Sequence, residues 1–195
     1  MSNLAHATPR MSPSEYLAFE EDAPVKHEYL NGSVHAMAGA SPRHNLIAQN
    51  LLIALRPTAR SAGCQVFISD VKLKVRTLAG EFFYYPDVLM SCTAADRNPL
   101  LREQPVLLIE VASPSTERID RGEKLNNYRQ IPSLIEYVIV EQKRHEVEIY
   151  RRRNGWVCEV IEPDQPLALE CVGLTLSMSD IYSDIDFEDP TLSET

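Results

Sequence analysis

Two stretches of the chain are almost unbroken in their apolar character: PVLLIEVA at 105–112 and LIEYVIV at 134–140. A strand with one wet face alternates apolar and polar residues, so near-continuous runs of this length mark strands covered on both sides. Shorter runs surround them. They are read as strands near 64–69, 71–76, 82–85 and 87–91, with TLAGE turning between the second and third. A polar loop follows at 93–104. Residues 146–162 pattern as a hairpin around Asn154-Gly155, and the last strands fall near 167–176, before a short helix from about Ser179.

The N-terminal part switches to helical spacing. Ser12-Pro13-Ser14-Glu15 has the residues of a capping box with proline in the first turn, opening a helix that ends near Glu21. Two short alternating runs then flank Asn31-Gly32, the dipeptide that favours a tight hairpin turn. Ser41-Pro42 starts a second helix, on which Leu46, Ile47, Leu51, Ile53, Ala54 and Leu55 form the predicted core face. A third helix is predicted over 113–131, with Ser113 and Ser115 as capping residues. Helices and strands mix without repeats or linker, which predicts one α/β (α+β) domain over 11–185. Residues 1–10 are expected to be disordered and 186–195 to form an acidic flexible tail.

Composition narrows the function. The 195 residues contain 44% apolar and 24% charged side chains, enough for one full core. No apolar run approaches the roughly 18 residues that span a bilayer, and the first residues lack a signal-peptide core. A cytoplasmic protein is expected. Cys64, Cys92, Cys158 and Cys171 show no C-x-x-C spacing, and the expectation is free thiols rather than zinc ligands or disulfides. The net charge of −9 is a poor footprint for tight non-specific binding to nucleic acid. The basic residues of QKRHEVEIYRRR (142–153) are read as a solvated hairpin.

Candidate chemistry starts from FFYYPDVLM (82–90), where Pro86 and Asp87 interrupt an apolar run. Proline cannot donate to a sheet, and a carboxylate near a core needs partners. Glu110 poses the same problem, because its side chain shares a face with Leu108 and Ala112. Two acids on adjacent strands, together with the Val111 carbonyl, match the oxygen ligands of Mg²⁺ or Mn²⁺. Lys124 follows Asp120 by one helical turn. It is either one member of a salt-bridged helix face or a cation leaning over the metal site, where it would orient water and offset charge on a phosphate. Asp70 is either a further member of the acid cluster or a turn acid. Tyr128 is either a hydrogen-bond donor into the site or a packing residue.

YPDV (85–88), LLIEVASPST (107–116) and DRGEKLNNYRQIPSLIEYVIV (120–140), in that order, resemble the Uma-two family of the PD-(D/E)xK nuclease superfamily. The likeness covers roughly residues 11 to 185 and includes HEYLNGSVHAMAGASPRHNLIAQNL. It implies a restriction-endonuclease-like core: a mixed central sheet flanked by helices, an N-terminal helix-hairpin-helix region and C-terminal β-hairpins. It implies Mg²⁺-dependent (or Mn²⁺-dependent) cleavage of DNA by a homodimer. Asp87 and Glu110 resemble the two motif acids. The usual lysine two residues after the second acid is replaced by Ala112, and Lys124 matches a lysine that has migrated onto the next helix. Glu28 either resembles an extra N-terminal acid, a further ligand or water-orienting group, or is an exposed hairpin charge. His44 either resembles a histidine that contacts a phosphate or the edge of the site or is a surface or helix-terminus packing residue. The alternative is a catalytically inactive protein that keeps the nuclease scaffold as an interaction or assembly module.

Overall fold

The computed structural model describes residues 10–113 and 116–188. The expectations for residues 1–9, for the Ser115 cap and for 189–195 lie outside the described residues. Helix α1 (Pro13–Asp22) begins with the predicted capping box, in which the Ser12 Oγ accepts from the Glu15 N–H and the Glu15 carboxylate accepts from the Ser12 N–H. Strands β1 (His27–Leu30) and β2 (Ser33–Ala36) form the predicted hairpin. Its turn places Asn31 at φ 47° and Gly32 at φ 107°, the latter a conformation that glycine adopts without penalty.

Helix α2 (Pro42–Ser61) buries Ile47, Ala48, Leu51, Leu55 and Ala59, spaced three or four apart. Ile53 was expected on this face but is 69% exposed, because it lies about half a turn round from Leu51 and Leu55. The helix continues past Pro57. The hydrogen bond that proline removes would have fallen on the Ile53 carbonyl, on the wet side where water can replace it.

Two main sheets organise the chain. The first, in the order β2-β1-β5-β4-β7, contains β4 (Lys72–Thr77), β5 (Gly80–Tyr84) and the two-residue β7 (Leu101–Arg102). The second, in the order β11-β10-β9-β8-β6-β3, contains β3 (Gln65–Ile68), β6 (Val88–Ser91), β8 (Pro105–Ala112), β9 (Glu136–Glu141), β10 (Val147–Arg151) and β11 (Cys158–Ile161). It is a mixed sheet: β8 and β9, the two apolar runs, are parallel, and their neighbours are antiparallel. The small pair β12 (Leu167–Leu169) and β13 (Leu174–Leu176) precedes α5 (Met178–Ile181).

Alternation along β8 divides the core. Leu107, Ile109 and Val111 face α2, α5 and the small pair. Leu108 and Ala112 face a cluster made with Leu73, Tyr84, Tyr128 and Tyr137. Glu110 shares that second face.

The predicted third helix is present but irregular. Short turns of α-helix, α3 (Glu117–Ile119) and α4 (Leu125–Tyr128), flank a π-helical turn at Asp120–Lys124. Single π turns of this kind are frequent at functional sites.

One expectation is corrected, and a second holds except at one residue. Cys64 and Cys92 form a disulfide with their Cα atoms 4.0 Å apart. The β3–β6 register pairs Gln65 with Ser91, so the next position outward sets the two cysteines opposite each other. Cys158 and Cys171 are free thiols. Closing a loop with a sequence separation of 28 should contribute about 2–4 kcal/mol. Thermal melts with and without dithiothreitol should show that loss, and Cys64→Ser should match the reduced wild type. The basic residues of the 142–153 segment are solvated as expected at Lys143, Arg144, Arg152 and Arg153, and Arg151 is the exception. Arg151 is 4% exposed and pairs with Glu136 and Glu159, Arg152 donates to the Leu134 and Ile131 carbonyls, and Arg153 pairs with Glu170.

Candidate active site

Asp87 sits where the chain leaves one sheet for the other. Strand β5 ends at Tyr84 in the first sheet, β6 begins at Val88 in the second, and Pro86-Asp87 makes the step. Proline is tolerated because no ladder crosses that point. The Asp87 carboxylate is held from two sides: Oδ2 accepts from the Val111 N–H at 2.8 Å, and Oδ1 lies 2.9 Å from His44 Nε2. His44 is in the first turn of α2, just after the cap made by Ser41.

The N–H and C=O of one residue in a strand point to the same edge. The Val111 carbonyl therefore faces the Asp87 side of β8, past the point where β6 stops pairing, since Val88 pairs with Ile109.

Glu110 is the deeper acid, 3% exposed. Its Oε1 accepts from Tyr128 Oη at 2.8 Å and from Lys124 Nζ at 3.1 Å. Lys124 is also within 3.2 Å of Asp120 Oδ1 and 3.5 Å of Glu28 Oε1. The π turn thus brings Asp120 and Lys124 inward together, and β1 delivers Glu28 from the other sheet. Tyr84 packs edge-on against Tyr128 and donates to Glu123, and Asn127 donates back to Tyr84.

Charge is unbalanced here. Glu28, Glu110 and Asp120 surround a single lysine, and Asp87 adds its charge to that of Glu110. Burial pushes the Glu110 carboxyl well above its usual range; Lys124 pulls it back, while Asp120, Asp87 and Glu28 push it further up. Burial acts to lower the Lys124 ammonium, but Glu110, Glu28 and Asp120 outweigh it and hold the group well above the ordinary lysine value.

The donor set fits a hard divalent cation. Glu28 Oε1 and Asp120 Oδ1 are buried without a hydrogen bond, although both are near Lys124. Among the described residues no three Asp, Glu, His or Cys side chains form a complete metal cluster by themselves. Magnesium needs no such cluster, because it is usually held by one or two carboxylates and keeps several waters.

Of the residues singled out in the sequence, Asp87, Glu110, Val111, Lys124, Glu28, His44 and Tyr128 come together. Asp70 does not: its side chain is 82% exposed and paired with Lys26 at 2.7 Å. Sequence spacing marked Asp120 only as a partner of Lys124, yet it is 1% exposed and part of the cluster. A burial signal was available in its place four residues before Lys124 on the helix face that also carries Tyr128.

The fold is that of a restriction-endonuclease-like nuclease scaffold. The chain belongs to the Uma2 family, described as "Putative restriction endonuclease", whose family model matches residues 13–179. Two relatives from Synechocystis sp., the uncharacterized proteins slr1290 and sll1609, are each 32% identical to it. The first alignment covers 92% of this chain and 95% of that protein, the second 73% and 81%. A crystal structure described as "a putative nuclease belonging to DUF820" from Anabaena variabilis shares the fold at a TM-score of 0.73. It has 16% identity and covers 89% of this chain and 98% of that one.

Proposed function

We propose that this protein is a divalent-cation-dependent endonuclease that hydrolyses DNA phosphodiester bonds. The observation that carries the reading is the convergence of Asp87 and Glu110 beside a buried lysine, with more carboxylates than the lysine can neutralise. Asp87, Glu110 and the Val111 carbonyl would hold Mg²⁺ or Mn²⁺. When bound, the cation lowers the pKa of water and polarises a phosphoryl oxygen.

The chain's own groups do the rest. His44 and the Val111 N–H fix the orientation of Asp87. Tyr128 fixes Glu110. Asp120 and Glu28 keep Lys124 protonated and stationary, so that its charge can offset the negative charge growing on the phosphate. A dimer would supply one such site for each strand of a duplex.

Supercoiled plasmid incubated with Mg²⁺ or Mn²⁺ tests the reading. The wild type should nick or linearise it, and Asp87→Ala should not. Cleavage that survives Asp87→Ala would place the chemistry elsewhere. No cleavage by the wild type across a panel of DNA substrates and both cations would favour the inactive-scaffold alternative.

A further inference from the structure

The rim of the site beside Asp87 carries two lysines that the chemistry above does not use. Lys26 leads into β1 and Lys72 opens β4, and their ammonium groups lie 5.5 and 5.6 Å from the centroid of one ring, that of Tyr85. Tyr85 is two residues before Asp87 and is 4% exposed. Lys26 also donates to the Ser69 carbonyl at 2.9 Å, and the Ser69 N–H donates to the Asp87 carbonyl at 3.2 Å. A single residue thus joins the Lys26 ammonium to the backbone of the site acid. Ser69 holds φ at 51°, a left-handed conformation that a non-glycine residue keeps only where its surroundings impose it.

At the rim, Asp70 answers Lys26, and Lys72 has no carboxylate at ion-pair distance among the described residues. Contact with the Tyr85 ring steadies the ammonium groups without consuming their N–H donors. The Lys72 donors remain available to an anion, whereas Lys26 spends two of its three on the Ser69 carbonyl and the Asp70 carboxylate.

We infer that Lys26 and Lys72 clamp backbone phosphate oxygens of a DNA strand next to the scissile phosphate, and that Asp70 is the anion the strand displaces from Lys26. This rests on the nuclease reading of the site. It also accounts for Asp70, an acid placed at the rim with its carboxylate in solvent and outside the buried cluster.

Fluorescence anisotropy of a fluorescein-labelled DNA single strand and of its duplex, with Ca²⁺ present and across a series of salt concentrations, tests the clamp. Lys26→Ala and Lys72→Ala should each bind about tenfold more weakly and reduce the salt slope by roughly 0.7 for the single strand or 0.9 for the duplex. Asp70→Asn should bind more tightly, a change of sign that general damage to the rim would not produce. A Lys26→Ala/Lys72→Ala double variant with wild-type affinity and salt slope would overturn the clamp, as would weaker binding by Asp70→Asn. Plasmid cleavage run in parallel separates the two ideas. Cleavage lost in Asp87→Ala but unaltered in the double variant would leave the nuclease standing without the clamp. A wild type that neither binds nor cleaves would remove both.

Discussion

Glu110→Gln is expected to lower cleavage by about a thousandfold and, in the same preparation, to raise the stability of the metal-free protein. Both effects come from one buried charge. Glutamine keeps the shape of the side chain and an oxygen that can accept from Tyr128 and Lys124, but it cannot supply an anionic ligand. In the wild type, burial raises the Glu110 carboxyl well above the unfolded value of about 4.3. Above that value the folded state binds more protons than the unfolded state, so stability falls as pH rises towards the folded pKa. Lys124 has the opposite profile. Its folded pKa is raised, so its contribution is fully present below the unfolded value of about 10.4 and is lost only as pH passes the folded one. Across the neutral range the slope contributed by this pair is therefore that of Glu110. Melting curves in EDTA over a pH series should fall for the wild type, be flatter for Glu110→Gln and stand higher by about 1–2 kcal/mol at the alkaline end. Titration calorimetry with Mn²⁺ should show binding lost. A glutamine variant that is less stable than the wild type throughout would mean that the ionised Glu110–Lys124 pair holds the core together, against the view that function keeps an expensive acid there.

Much of this site was legible in the sequence because buried acids are conspicuous in apolar runs. Asp87 in FFYYPDVLM and Glu110 in PVLLIEVA stand out for that reason, and alternation alone put Glu110 on the face with Leu108 and Ala112. The helix starts were equally plain, since Ser12 and Ser41 cap the helices they precede. Other features depend on register or on contacts far apart in sequence. The pairing of Cys64 with Cys92 follows only once β3 and β6 are aligned. The inward turn of Asp120 needs the π segment, which no simple periodicity announces. His44 reaches Asp87 across 43 residues, and its spacing along α2 gives no hint of that partner. Asp70 lies close to Asp87 through Ser69 yet points away from it, because Lys26 holds its carboxylate at the surface. The break between strands at 82–85 and 87–91 was legible, but their assignment to two different sheets, with Pro86-Asp87 as the step between them, was not.

Glu136→Ala should cost about 3–5 kcal/mol of stability. The side chain is fully buried at the start of β9, and three donors converge on it. Its Oε1 accepts from Arg151 Nε at 2.9 Å and from the Glu170 N–H at 3.1 Å, and its Oε2 accepts from the Cys171 N–H at 3.0 Å. Arg151 in turn donates to the Ala168 carbonyl at 2.7 Å, so one ion pair ties β9 and β10 to the connection between β12 and β13. Alanine would leave a guanidinium with only the partly exposed Glu159 and more distant Glu170 as anions, and would strand two backbone N–H groups. Urea denaturation followed by circular dichroism should show a lower midpoint. The cost belongs to the unpaired groups more than to the bond itself, so Glu136→Leu combined with Arg151→Met should recover part of the loss. A double variant no better than Glu136→Ala would assign the stability to the backbone contacts at Glu170 and Cys171, which neither apolar side chain can replace. Strand β9 is the parallel neighbour of β8, with Ile139 opposite Glu110, so the same measurement reports how firmly the latch holds the strand beside the site.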